Sequence, residues 1–166
     1  MRAHSMLSAA LVLALALAAP GCGGGDVDIA RDLQVTDVVS GWFDAGIVED
    51  GKNKLVPSVS LRLKNASGSE ISSVQMFAKF MRVGETEEWG TPPYVRAIGP
   101  DGLAPGQSTE PLVLRSNLGY TGLQPRAQML RNREFVDARV ELYAKYRANN
   151  WVKLGEYQVE RQLLTQ

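Results

Sequence analysis

The chain has 166 residues, of which 18 are basic and 18 acidic, and 45% are hydrophobic. All the acids and all but one of the bases follow Cys22, so the chain after Cys22 is slightly acidic. It lacks the positive field that nucleic-acid-binding proteins use, and we exclude that class of function. His4 and Cys22 are the only histidine and cysteine, so the chain beyond them can form neither a Ser-His-Asp or Cys-His catalytic site nor a His- or Cys-ligated metal site. Carboxylate, lysine or tyrosine chemistry and oxygen-ligated calcium or magnesium stay open, but no residue pattern points to them, so we expect no enzyme, no metal and no cofactor.

The N-terminal stretch is typical of an export signal. An apolar run, interrupted only by Ser8, covers residues 6–19 and is shorter than the ~20 residues that a membrane-spanning helix needs. Ala19, Pro20 and Gly21 follow, and Cys22 comes next. This arrangement resembles the signal of bacterial lipoproteins, in which a cysteine after small residues becomes the first residue of the mature protein and its thiol takes a diacylglyceryl group.

The resemblance implies a signal peptide over 1–21, a lipidated Cys22 with a flexible tether over 22–30, and one domain over 31–166. Two or three acyl chains would hold such a protein firmly on a membrane. Gly23 stands where an aspartate would favour retention in the inner membrane, so the resemblance implies the outer membrane. Ala19 departs from the usual leucine three residues before the cysteine, and the alternative is ordinary secretion with cleavage after Ala18.

Beyond the tether, alternating apolar and polar residues predict a chain of β-strands. Val59, Leu61 and Leu63, for example, alternate with polar neighbours, as in a strand with one wet face. The alternation slips between Val35 and Val39, and again at 155–156, which predicts two β-bulges. The predicted strands cover 33–43, 58–64, 71–83, 94–98, 112–114, 136–146 and 151–163.

One short helix interrupts this pattern. Pro125 suits the first turn of a helix, and the residues that follow it favour helix, so we predict one or two turns near 125–131. About seven strands and one short helix predict an all-β fold, an antiparallel sandwich of two sheets, with a small open barrel as the alternative. The lead-in Leu103-Ala104-Pro105-Gly106-Gln107-Ser108 is similar to one found in immunoglobulin-like and fibronectin-III-like bacterial modules, and the resemblance implies an immunoglobulin-like sandwich.

For the strand predicted over 136–146, the sequence also predicts which of its two faces points into the core. Its even-numbered residues, which include Val140, Leu142 and Tyr146, are apolar, and charged residues alternate with them. We therefore expect the even-numbered face to point into the core. On this interpretation Leu142→Asp unfolds the domain, whereas Glu141→Lys is nearly silent.

Aromatic residues at strand ends and in loops are the first candidates for a binding site. Trp42, Trp89 and Tyr94 could together stack on sugars or anchor a partner protein if they shared one exposed face. The favoured interpretation is that these aromatic residues pack in the core or at its rim, where Trp42 and Trp89 could close the two ends. The acidic loops around 44–53 and 85–88 could offer oxygen ligands to calcium, although neither has the spacing of a known calcium loop.

These observations favour a non-catalytic, lipid-anchored module of the cell envelope. We expect it to contact the membrane through its anchor and to bind another envelope protein as an accessory component. The alternative is a carbohydrate-binding or adhesive surface module that uses the loop aromatics. A hydrolase that uses two carboxylates is a third hypothesis, and it needs two acids that converge in a cleft.

Overall fold

A computed structural model describes residues 27–164. The predicted signal peptide, Cys22 and the tether up to residue 26 lie outside the described residues. Within this range the chain forms short helices α1 (Ile29–Asp32) and α2 (Arg126–Met129), and a 3₁₀ turn covers Glu49–Gly51. The strands are β1 (Leu33–Ile47), β2 (Asn53–Asn65), β3 (Val74–Arg82), β4 (Tyr94–Ile98), β5 (Leu112–Arg115), β6 (Tyr120–Gly122), β7 (Ala138–Tyr146), β8 (Val152–Gln158) and β9 (Leu163–Leu164).

The strands form two sheets that pack face to face, which confirms the predicted sandwich. The first sheet has the order β5-β2-β1-β9, with β6 also paired to β2, and the second has the order β4-β3-β7-β8. Every pair is antiparallel except β1 with β9. The runs β5-β2-β1 and β3-β7-β8 correspond to the orders E-B-A and C-F-G of immunoglobulin domains. The predicted helix is also present, as α2.

The core lies between the sheets and is lined by alternate residues of the long strands. The even-numbered residues of β7 from Ala138 to Ala144 are fully buried, and they face the sheet that contains Leu61 and Leu63. The predicted inward face of Val140 and Leu142 is therefore confirmed, and Tyr146 packs against the same core. The strand begins at Ala138, two residues later than expected.

Both predicted bulges are present, the second one residue earlier than expected. The pairing of β1 with β2 shifts between Thr36 and Val39, and Asp37 there has a φ of 51°. The pairing of β7 with β8 skips Leu154, so that Leu142 lies opposite Gly155 and the next pair is offset. Each bulge changes which residues face inward: from odd- to even-numbered residues along β1, and from even- to odd-numbered residues along β8.

The C-terminal strand predicted over 151–163 is divided into two strands, β8 and β9, which belong to different sheets. β8 ends at Gln158, and the chain then crosses to the first sheet, where β9 runs parallel to β1. The Ser40 hydroxyl joins the sheets by donating to the Gln158 carbonyl at 2.8 Å. A Cβ atom on Gly41 would lie 2.9 Å from the backbone carbonyl oxygen of Gln162, so this crossing favours glycine.

The packed domain begins earlier than the predicted boundary at residue 31. Ile29 is only 4% exposed and belongs to the core, so the tether cannot extend to residue 30 as predicted. The Asp28 carboxylate accepts a hydrogen bond from the Ala30 amide at 3.0 Å and caps the short helix α1. This cap and the buried Ile29 fix the chain at the point where it enters β1.

Candidate functional site

Trp42 and Trp89 do not belong to a surface site. Trp42 is 0% exposed and Trp89 is 9% exposed, and their ring centroids lie 5.9 Å apart inside the sandwich. Phe135 and Tyr120 contact Trp42 at centroid distances of 4.6 and 5.6 Å. These four rings form one inner cluster. A surface site built from Trp42, Trp89 and Tyr94 would need all three on one exposed face, and this condition is not met, because the first two contribute to the core instead.

Tyr94 does lie on the surface, and the structure brings it next to aromatic residues that the sequence did not single out. It is 56% exposed and stacks on Phe77 with a centroid distance of 6.4 Å. Phe77 also stacks on Tyr143 at 4.9 Å and meets the edge of Trp151 at 4.7 Å. These four residues, Phe77, Tyr94, Tyr143 and Trp151, form a continuous row across the outer face of the second sheet, called here the outer aromatic row.

Strand register explains why these rings meet. Phe77 in the central strand β3 lies opposite Tyr94 of β4 on one side and opposite Tyr143 of β7 on the other. Because side chains alternate between the faces of a strand, odd-numbered residues of β3 and β7 both point outward. The sequence places one aromatic residue on the outward-facing positions of each strand, Phe77 in β3 and Tyr143 in β7, but it does not show that the two strands are neighbours.

A network of charged groups borders one side of the row. Glu141 accepts hydrogen bonds from the Lys153 ammonium at 2.9 Å and from the Tyr143 hydroxyl at 2.8 Å. Arg139 and Lys153 also contact Glu156, at 3.0 and 2.8 Å. Because these partners surround it, the Glu141 side chain is only 13% exposed. The prediction that Glu141→Lys is nearly silent conflicts with this geometry, because lysine would face two other cations.

Glu141 and Glu156 lie opposite each other on neighbouring strands, but their environment does not suit acid catalysis. The hydrogen bond from Lys153 lowers the pKa of both carboxyl groups. The same bonds raise the pKa of Lys153. A general acid of a glycosidase needs a raised pKa instead. The hydrolase hypothesis therefore gains no support from this pair.

A small cleft borders the other side of the row. Its volume is about 250 Å³, and it is lined by Ser73, Gln75, Arg96, Gly99, Pro100 and Arg147. Two backbone hydrogen bonds hold its floor together, from the Ser73 amide to the Gly99 carbonyl at 3.0 Å and from the Arg147 amide to the Ser73 carbonyl at 2.9 Å. Lys145 lies beside it and places its ammonium 4.9 Å from the centre of the Trp151 ring. We call Arg96, Lys145 and Arg147 the basic notch.

The acidic loops are largely engaged in ion pairs with nearby bases. Asp44 pairs with Arg126, and this hydrogen bond lowers the Asp44 pKa. Asp50 pairs with Lys52 at 3.4 Å. In the second loop Glu85 pairs with Arg82 at 3.5 Å, and Glu88 pairs with Lys79 at 3.7 Å. Among residues 27–164, no group of three acidic, histidine or cysteine side chains is arranged to hold a metal ion.

Comparison of the chain with known protein families, with curated proteins and with solved structures found no match. In the part of the chain that the structure describes, no helix is both long and apolar enough to cross a membrane. The outer aromatic row and the basic notch are therefore assigned on their geometry alone.

Proposed function

We propose that the chain is a non-catalytic, lipid-anchored module of the cell envelope that binds another envelope protein through the outer aromatic row. The single observation that supports this binding site is the row itself, in which Phe77 contacts the other three rings on an outer sheet face and Tyr94 also meets Trp151. Tyrosine, tryptophan, phenylalanine and arginine are the residues enriched at the centres of protein interfaces. All four types are present on this face.

The rigidity of the row favours binding. Phe77 and Tyr143 lie on β3 and β7, the two central strands of their sheet, so the backbone beneath the rings is fixed by neighbours on both sides. Stacked rings have few free rotamers left to lose when a partner binds, which reduces the entropic penalty of association. The Tyr94 hydroxyl, which donates to Gln75 at 3.2 Å, further restrains the most exposed ring.

Site-specific photocrosslinking in cells tests the partner-binding part of this proposal. A photoreactive phenylalanine analogue replaces Tyr94 in the row or Val113 on the opposite, first sheet, where the side chain is also exposed. We expect a discrete protein adduct from position 94 and none from position 113. Adducts of equal yield from both positions, or from neither, would contradict a binding site at the row.

The lipid-anchor part of the proposal is supported by Cys22, the only thiol of the chain, which follows an apolar run of signal length and precedes three glycines. We expect labelled palmitate to enter the wild-type chain and not Cys22→Ser, which would accumulate as an unprocessed precursor. A wild-type chain that takes up no label and washes off membranes in plain buffer would refute lipidation and the outer-membrane assignment that depends on it.

Carbohydrate binding or adhesion is the second candidate function. Tyr94 and Trp151 favour it, because their rings meet edge to face at 5.4 Å and could contact a sugar ring from two sides. Co-sedimentation with insoluble cell-wall polysaccharide tests this alternative. Retention of the wild type and loss of retention in Tyr94→Ala would favour a glycan ligand over a protein partner.

A further inference from the structure

The outer face of the second sheet has an uneven distribution of charge. On one side of the outer aromatic row, Arg139 and Lys153 are neutralised by Glu141 and Glu156. On the other side lies the basic notch. Within residues 27–164, none of its three cations forms an ion pair, although Lys145 and Arg147 each contact an aromatic ring. One side of the row therefore carries uncompensated positive charge.

Strand register places this charge at a defined distance from the rings. Gln75 lies opposite Arg96 on one neighbouring strand and opposite Lys145 on the other, one outward position along from Phe77. Outward positions on a strand are spaced by roughly 6.5–7 Å. An extended peptide has the same spacing between alternate side chains. A segment with an acidic residue two positions from an apolar one could therefore reach the notch and the rings together.

The size and chemistry of the cleft restrict its occupant. At about 250 Å³ it is smaller than the ~300–1,000 Å³ of pockets that hold small molecules, so it suits one side chain or carboxylate group. Two arginines line it, and guanidinium groups bind carboxylates through paired hydrogen bonds. Asp101, the next residue after the cleft-lining Pro100, forms no ion pair with either arginine among the described residues.

We infer that the partner binds the outer aromatic row through an acidic segment, whose carboxylates contact the basic notch while an apolar side chain two positions away packs on the rings. This inference rests on the proposed function and adds the chemistry of the partner. A protein segment fits this face because a continuous row of rings adjoins the cations. The positive side of the face supplies long-range attraction, and the rings supply the buried contact.

The test uses the full chain with the photoreactive analogue at position 94, in cells. The notch is reversed by Arg96→Glu with Arg147→Glu. The matched control is Arg131→Glu with Arg133→Glu, which makes the same change in net charge at two exposed arginines on the loop after α2. Mass spectrometry identifies the partner peptide joined to position 94, and thermal melts of the purified domains show that both double variants remain folded.

We expect the captured peptide to be acidic, the adduct yield to fall about tenfold in the notch variant, and the control variant to match the parent. A neutral or basic captured peptide, or an equal fall in both variants, would overturn the inference and leave the proposed protein partner in place. An adduct on lipid or glycan, or no adduct at all, would overturn the inference together with the proposed function.

Discussion

The domain contains two clusters of four aromatic rings that have similar internal geometry and opposite surroundings. Centroid distances are 4.5–5.9 Å in the inner cluster and 4.7–6.4 Å in the outer aromatic row. The inner rings fill the space between the sheets, whereas the outer rings lie on the solvent side of one sheet. The inner cluster is Trp42, Trp89, Tyr120 and Phe135, and the row is Phe77, Tyr94, Tyr143 and Trp151.

The polar atoms of the two clusters show what this difference means. In the inner cluster the Tyr120 hydroxyl donates to the Val136 carbonyl at 3.0 Å and accepts from the Val136 amide at 3.2 Å, and burial raises the Tyr120 pKa. These bonds fix the loop before β7. In the row, the Tyr143 hydroxyl donates to the partly buried Glu141 carboxylate in the charged network on the outer face. The inner cluster therefore holds parts of the core together, whereas the row interacts with the charged groups of the outer face.

The largest expected effect is a difference in stability between substitutions at two consecutive residues of β7, whose side chains point to opposite faces. Leu142→Asp should unfold the domain, because an unpaired carboxylate buried among apolar residues destabilises a protein by several kcal/mol. Tyr143→Ser should leave the domain folded and weaken crosslinking at position 94. Circular dichroism melts check both variants. A Leu142→Asp domain with an unchanged Tm would show that the two faces have been assigned the wrong way round.

The next largest effect is the difference in the free energy of unfolding lost when one tryptophan from each cluster is replaced by alanine. Trp42→Ala should lower the free energy of unfolding by about 3–5 kcal/mol, because it leaves a large cavity in the core. Trp151→Ala removes contacts from a half-buried ring and should cost about 1 kcal/mol. Urea unfolding of both variants measures the difference. Equal losses would mean that the row is as important for stability as the inner cluster.

A smaller effect concerns the charged border of the row. Glu141→Lys should lower the free energy of unfolding by about 1–2 kcal/mol, because it replaces an acceptor of charge-assisted hydrogen bonds with a third cation. Glu88→Lys is the matched control, since Glu88 makes a single exposed ion pair at 3.7 Å and should change stability by less than about 0.5 kcal/mol. Similar small changes in both variants would show that the Glu141 network contributes little.

The faces of single strands could be predicted from the sequence, because alternation is a local property of the chain. The inward face of β7 and the slip in β1 are examples, and both are confirmed. The bulge at 37–38 also changes the parity of β1 so that Ser40 and Trp42 face inward, a consequence that could have been drawn from the predicted slip.

Neighbours across strands could not be predicted, because they depend on strand order and register. The rings of the row come from different strands, with Phe77 in β3, Tyr94 in β4 and Tyr143 in β7. No local sequence pattern indicates that these strands are adjacent in the sheet. The partner of Glu141 is similarly distant, since Lys153 reaches it only because the bulge at Leu154 sets the offset of β8. Trp89 lies in an irregular segment, where there is no period to indicate its burial.

The smallest effect that distinguishes the clusters is a difference in acid sensitivity. Hydrogen bonds from Lys153 lower the pKa of Glu141 and Glu156 in the folded domain. A carboxyl group with a lowered folded pKa stabilises the fold fully above its unfolded pKa, about 4.3 for glutamate, and this stabilisation is lost as the pH falls through the folded value. The inner cluster contains no carboxylate, so its contribution should not depend on pH in this range.

Urea unfolding between about pH 5 and pH 3 tests this difference. Glu141→Gln with Glu156→Gln should show a shallower loss of stability with falling pH than the wild type. Some slope should remain, because hydrogen bonds from Arg31 and Arg126 also lower the pKa of Asp32 and Asp44. Trp42→Phe should instead lower stability by the same amount at every pH. If the glutamine variant kept the wild-type slope, the charged border of the row would not be a source of acid sensitivity.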